Sequence, residues 1–140
     1  MAGATPFDLT IISTDRVFYT GKALQIVFAA SDGRRAIMAN HVRSYMSVRE
    51  GDVEFQKEDG SWIVAVASRG YVQVAHHQVE MVVDTIELPE DIDVLRAQEA
   101  MERAQQQLQS KQSIVEYKLS KANLSRAMAR LSASSKFKKV

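Results

Sequence analysis

Apolar and polar positions alternate through the first half of the chain and then change rhythm. Short β-type runs occupy residues 7–12, 17–20, 24–29, 53–55, 62–66, 71–74 and 79–83. Trp62, Val64 and Val66 share one face of such a run, as do Val79, Met81 and Val83, which is the period of two that a strand with one buried side requires. All six glycines (Gly3, Gly21, Gly33, Gly51, Gly60 and Gly70) lie in this half, and turns are expected at them. Asp59-Gly60 sits between two runs and reads as a hairpin turn. Many short strands with regular turn signals predict an antiparallel sandwich or barrel over about residues 5–84.

The period changes at Pro89. Beyond it there is neither glycine nor proline, and Ala, Gln, Glu, Leu, Lys and Arg, all good helix formers, take over. Pro89 suits a first helical turn, and Glu90 and Asp91 suit its positive dipole end, so a helix is expected over about 90–109 with Leu95, Ala97, Met101, Ala104 and Leu108 as its apolar stripe. A second is expected over about 114–132, with Val115, Leu119 and Ala122 on one line and Tyr117, Leu124, Met128 and Leu131 on another. The connection at 109–113 lacks the residues that lock a chain reversal. A hinge, at which hairpin and continuous helix differ by a few kcal/mol, and an ordinary polar connection both remain open. The predicted class is α+β: an N-terminal antiparallel β-sandwich over 1–86 followed by a C-terminal antiparallel two-helix hairpin over 87–140.

Composition narrows the function. The 140 residues are 46% hydrophobic and 25% charged, which fits one globular chain, and the lack of cysteine excludes a disulfide framework and thiolate metal sites. No segment approaches the roughly 20 apolar residues of a membrane span, and no basic-then-apolar leader opens the chain, so it is expected to be neither integral nor secreted. Net charge is +1 but segregated. Residues 1–100 hold 9 Lys/Arg against 15 Asp/Glu, net −6, and residues 101–140 hold 9 against 2, net +7. The basic end suits an acidic surface or an anionic ligand, or is simply a solvated tail.

Catalytic constellations are missing from the sequence. There is no glycine-rich phosphate loop and no nucleophile motif. His76 and His77, if on a strand, point to opposite faces and cannot share a metal; they and His41 are expected at the surface or in turns. No enzyme activity and no metal are expected. Nucleic-acid binding is disfavoured, because Tyr117 and Phe137 are the only aromatics after Tyr71 and give the basic tail no stacking platforms. Arg126 and Arg130, four apart on one helix face, repel each other and would together clamp a phosphate; Arg96 completes the set if the helices fold back. The alternative is that these arginines face water or pair with Asp93, Glu99 and Glu102.

Over its whole length this order of features resembles the bacterial F-type ATP synthase epsilon-subunit family. Ile11-Ile12-Ser13-Thr14-Asp15 with Val17, Tyr19 and Gly21 resembles the family's opening strand, with Thr14 where proline is usual. Ser68-Arg69-Gly70-Tyr71-Val72 looks like its Ser-Gly-Gly-aromatic strand, with Arg69 for the first glycine. The most specific match is Ile92, Asp93, Arg96 and Ala97, which satisfy the Ile/Leu-Asp-x-x-Arg-Ala signature of members whose tail binds ATP. Glu87 also fits, and Arg126-Ala127-Met128-Ala129-Arg130 resembles their second-helix element.

The resemblance implies a non-catalytic rotor subunit that couples rotation, and with it ion transport and ATP synthesis, to catalysis. It would bind the gamma subunit and the c-ring, peripherally at the cytoplasmic face of the bacterial membrane. Its tail would bind ATP as a regulatory ligand through Glu87, Asp93, Arg96, Ala97, Arg126 and Arg130. Extended toward the alpha/beta head, the tail would inhibit hydrolysis; the alternative is a purely structural subunit with an inert hairpin. Arg103 lies outside the motif. The loop Gly33-Arg34-Arg35-Ala36-Ile37-Met38-Ala39-Asn40-His41 departs from the family's Gly-Glu-x-Gly-Ile-Leu-Pro-Gly-His, keeping Gly33, Ile37 and His41 while Arg34 reverses an acidic charge. Arg34 and His41 are therefore the candidate contacts to partners in the rotor.

Overall fold

A computed structural model describes the backbone of residues 4–109 and 114–137 and divides the chain into two compact units, 1–87 and 88–140. The first holds nine strands: β1 (Phe7–Ile12), β2 (Val17–Ala30), β3 (Gly33–Met38), β4 (Ser44–Val48), β5 (Gly51–Lys57), β6 (Trp62–Ala67), β7 (Gly70–Ala75), β8 (Gln78–Val83) and β9 (Ile86–Glu87). They join in the order β4-β7-β8-β1-β2-β5-β6-β9, with β3 also on β2. Every pairing is antiparallel except β1 with β8. The long β2 makes a sandwich of this path. Its first half pairs with β1 and its second with β3 and β5, and the amide of Arg49 just beyond β4 donates back to Ala29 O at 2.9 Å.

Alternation decides the core. Phe7, Leu9 and Ile11 of β1, Val53 and Phe55 of β5, Val72 and Val74 of β7, and Val79, Met81 and Val83 of β8 all point inward. Each large apolar side chain so buried contributes about 1.5–3 kcal/mol. On β2 the inward set shifts phase, from Ala23 to Ile26 and Phe28, because the pairing with β5 is irregular between Ala23 and Gln25.

Three sequence expectations are corrected here. The runs 17–20 and 24–29 are one strand, since Gly21 is paired with Leu9 rather than turning. Tyr19 folds over that glycine and donates its hydroxyl to Lys22 O, and an added Cβ there would lie 2.9 Å from the phenol oxygen. On β6 the residues of the core cluster are Ile63, Ala65 and Ala67, with Ile63 and Ala65 opposite Phe55 and Val53; Val66 is buried as its face predicted, but Trp62 is 46% exposed. The Phe55 ring of β5 already fills much of the layer, so the small residues go in. Strands β3 and β4 form where no β-type run had been recognised, because β2 and β7 supply the hydrogen bonds that a polar sequence such as Gly33-Arg34-Arg35 does not advertise.

The second unit opens with a 3-10 turn, Pro89–Asp91, followed by α1 (Val94–Gln109) and α2 (Ile114–Phe137). Helix α1 starts later than the expected 90 because Asp93 caps it, its Oδ1 accepting the Arg96 amide at 3.1 Å. Replacing Asp93 with Ala should cost about 0.5–2 kcal/mol of hairpin stability, read as an earlier loss of helical circular dichroism on heating; an unchanged melt would deny the cap any role. The two helices pack together, and their buried positions are small: Ala97, Ala104, Ser120, Ala127, Ala133 and Ser134. Leu95, Leu119 and Met128, expected on apolar stripes, are exposed instead. A seam of one-carbon side chains lets the helices approach closely but removes little apolar area from water. The expected hinge at 110–113 and the side chains of Val115 and Tyr117 lie outside the described residues.

Candidate functional site

Helices α1 and α2 share a cleft of about 240 Å³. From α1 it is lined by Ala100, Arg103, Ala104 and Gln107, and from α2 by Asn123, Arg126, Ala127 and Arg130. Spacings of three and four place each set on one helix face, and the alanines leave the space that the longer side chains border. Three guanidinium groups line the cleft and no carboxylate does. Among the described residues Arg126 Nε is buried with no hydrogen-bond partner. Stripping such a donor of water without an acceptor costs about 1–3 kcal/mol or more, and the gathered like charges add repulsion. An anion with several acceptor oxygens relieves both.

The structure brings Arg126 and Arg130 together as the sequence pattern required. Arg96 does not line the cleft; it is exposed two turns, about 10 Å, before Arg103 on the same face of α1. Asp93 serves as the cap, and Ala97 is fully buried, its amide donating to Asp93 O at 3.0 Å. Glu87 is half-buried in β9, opposite Val66 of the first unit. Arg103, Gln107 and Asn123 were missed. The signal available for Arg103 was its seven-residue spacing from Arg96, which returns to the same helix face, whereas Gln107 and Asn123 carried none. Ser120, one turn before Asn123, is buried and donates its hydroxyl to Gln107 Oε1 at 3.3 Å.

In the first unit Arg34 is exposed on β3 and donates to Asp52 O at 3.0 Å. Its neighbour Arg35 pairs with Asp32 at 2.6 Å and holds that carboxyl below its usual range. His41 is half-buried, its Nδ1–H directed at Val42 O at 2.8 Å, beside the exposed Met38 and Val42. His76 and His77 lie exposed in the turn between β7 and β8, as expected, His77 with φ 55°, and their rings meet edge to face at 4.0 Å. The positive φ breaks the alternation that would have separated them. Among the described residues no group of three His, Asp or Glu side chains is placed to hold a metal, and no helix is long and apolar enough to cross a membrane.

Residues 6–89 match the family model "ATP synthase, Delta/Epsilon chain, beta-sandwich domain", and residues 90–135 match "ATP synthase, Delta/Epsilon chain, long alpha-helix domain". The chain is 39% identical to an ATP synthase epsilon chain of Ruminiclostridium cellulolyticum over 93% of its own length and 96% of the relative's. It is 33% identical to that of Caldanaerobacter subterraneus subsp. tengcongensis over 96% and 97%. A chain in the Euglena gracilis mitochondrial ATP synthase shares its fold, with a TM-score of 0.78 over 95% of this chain and 85% of that one at 20% identity. A chain of the Tetrahymena thermophila enzyme does so with a TM-score of 0.63 over 91% and 95%, at 14% identity.

Proposed function

The chain belongs to the delta/epsilon chain family of ATP synthases as an epsilon-type, non-catalytic subunit of the central stalk, and from that premise we propose that its helical hairpin is an ATP-sensing tail that restrains hydrolysis. The observation that carries the proposal is the cleft of Arg103, Arg126 and Arg130 with the orphaned Arg126 Nε. A triphosphate brings three to four negative charges and many acceptor oxygens, and guanidinium forks match phosphate oxygens in pairs. The cleft is sized for the phosphates, and the nucleoside would continue along the groove toward Ala97 and Asp93. Arg96 would then neutralise the inner phosphate side. ATP would be sensed rather than consumed, since the sequence has no lysine-bearing phosphate loop and no carboxylate lines the cleft to serve as base for an attacking water.

Release follows from the same seam. Ala and Ser contacts hold α1 to α2 weakly, so a ligand bridging both helices shifts the balance by its whole binding energy. Without ATP, the tail, net +7 over residues 101–140, would extend toward an acidic surface of the alpha/beta head. The sandwich would remain on the rotor, contacting the gamma subunit and the c-ring at the membrane's cytoplasmic face, with Arg34 and His41 on that surface. The Euglena and Tetrahymena chains of like fold come from assemblies described as F1/c-ring and central stalk/c-ring, which supports this placement.

Deleting residues 110–140 should raise ATP hydrolysis by the assembled enzyme, most at low ATP, while ion pumping stays coupled. Hydrolysis that is unchanged by the deletion at every ATP concentration would sink the inhibitory role and leave a structural stalk subunit with an inert hairpin.

A further inference from the structure

The segment from β3 through β4 inverts the charge of the unit it belongs to. Residues 33–49 hold Arg34, Arg35, Arg43 and Arg49 and no Asp or Glu, net +4, whereas the rest of 1–87 holds 4 Lys/Arg against 11 Asp/Glu, net −7. Arg35 is paired with Asp32. Arg34, Arg43 and Arg49 are exposed and form no ion pair among the described residues.

The fold gathers this segment on one edge of the sandwich. Strand β3 pairs with β2 alone and β4 with β7 alone, so each is an edge strand. Ala29 of β2 joins their far ends: it is paired with Arg34, and its carbonyl accepts the Arg49 amide. Arg34, Ala36 and Met38 alternate with the buried Ile37 and face out from β3, while Tyr45 stacks on Tyr71 with ring centroids 5.0 Å apart. Met38 is 57%, Val42 73% and Tyr45 69% exposed among these cations. Charge on an edge strand is by itself a guard against stray pairing. Such a guard gains nothing from exposed apolar side chains beside it. Arg, Tyr and Met without lysine are instead the composition of a protein interface, and 33–49 contains no lysine.

Resting on the rotor placement above, we propose that this edge is the surface that meets the c-ring, and that the ring's loops meet it with Asp or Glu side chains paired to Arg34 and Arg43. The sign is opposite to that of a loop with glutamate after the glycine, which would call for a basic partner. Guanidinium forks match carboxylates in pairs, and a ring that turns with the chain keeps such pairs in register. A lipid surface, past which the rotor turns, does not.

The test uses the assembled enzyme. A water-soluble carbodiimide joins an amine to a carboxylate in contact with it, with loss of water, and leaves arginine alone. Arg34→Lys and Arg43→Lys keep the charge and supply the amine. Each should give a product in which this chain is linked through that position to a c-ring subunit, mapped by mass spectrometry; the parent, with arginine there, gives none. Arg34→Glu sets like charges face to face. It should weaken reassociation of the chain with enzyme depleted of it by about 10-fold or more at low salt, and by a smaller factor at about 1 M salt, where the screening length is about 3 Å. Thermal melts of the isolated variants check that each is folded. No link from either position in an enzyme that retains both chain and ring, links that go to the gamma subunit, or full affinity in Arg34→Glu would overturn the acidic partner while the rotor placement stands. Flotation of the parent with phosphatidylglycerol vesicles, together with no link to the ring, would overturn it in favour of lipid headgroups. A ring that fails to copurify with the chain would overturn the placement itself.

Discussion

Gly70→Ala should lower the melting temperature of the sandwich by more than about 12 °C. Gly70 opens β7 and is paired with Val83 on one side and Val48 on the other. A Cβ built there collides with Val82 O and lies 2.6 Å from Val83 Cα. The atoms it meets are backbone, so no rotamer change relieves the clash. Strand β8 would have to move, yet it is held by β7 on one edge and β1 on the other, with Met81 and Val83 buried in the core. Overpacking of a side chain costs about 1–3 kcal/mol, and a collision with fixed backbone belongs at or above the top of that range. For a domain of this size about 3 kcal/mol is roughly 12 °C or more. Gly60→Ala is the comparison. Gly60 has φ 91°, so alanine is strained there by about 1–2 kcal/mol, but nothing lies within 4 Å of the added carbon. Thermal unfolding in which Gly70→Ala costs no more than Gly60→Ala would show that β8 yields easily.

The largest effect on ligand binding is expected from Arg126→Ala, which should weaken ATP by roughly 10-fold to 100-fold, the equivalent of one charge-assisted contact of about 1.5–3 kcal/mol. Arg130→Ala should do the same. Arg103, which lies outside the sequence motif, lines the cleft, so Arg103→Ala is expected to lose affinity as well. Lys121, exposed on α2 and absent from the cleft lining, carries the same charge and tests general attraction to the basic tail. Titration calorimetry in which Lys121→Ala loses as much as Arg126→Ala would reduce the site to a diffuse field. A second readout separates binding from folding. Removing Arg126 removes a buried, unpaired donor and one of three crowded cations, so the unliganded hairpin should melt no earlier than the parent.

The two-part chain, its strand-rich half and its helical half were legible because periodicity is a property of neighbouring residues, and the change at Pro89 is local. Val79, Met81 and Val83 face inward as their spacing required. The pairing of Arg126 with Arg130 was legible for the same reason, since an i, i+4 interval fixes a helix face whatever surrounds it. What failed were inferences about single positions that depended on which neighbour they would meet. Gly21 looked like a turn until Leu9 was found opposite it, and Trp62 looked buried along with Val66 but lies exposed, because Ile63, Ala65 and Ala67 are the β6 residues that join the core cluster. Strands β3 and β4 owe their existence to β2 and β7.

The sequence alone thus determined the classes of element and the faces they carry, because those follow from chain geometry over a few residues. Tertiary structure decided which faces meet. Arg103 shows the difference: its spacing from Arg96 fixes only a shared helix face, and the packing of α2 against α1 is what places it on the same cleft as Arg126 and Arg130. The seam of Ala97, Ala104, Ser120 and Ala127 sets that approach, because small side chains let the two backbones come close enough for one group of cations to be shared, while Leu95, Leu119 and Met128, too long for such a seam, turn outward.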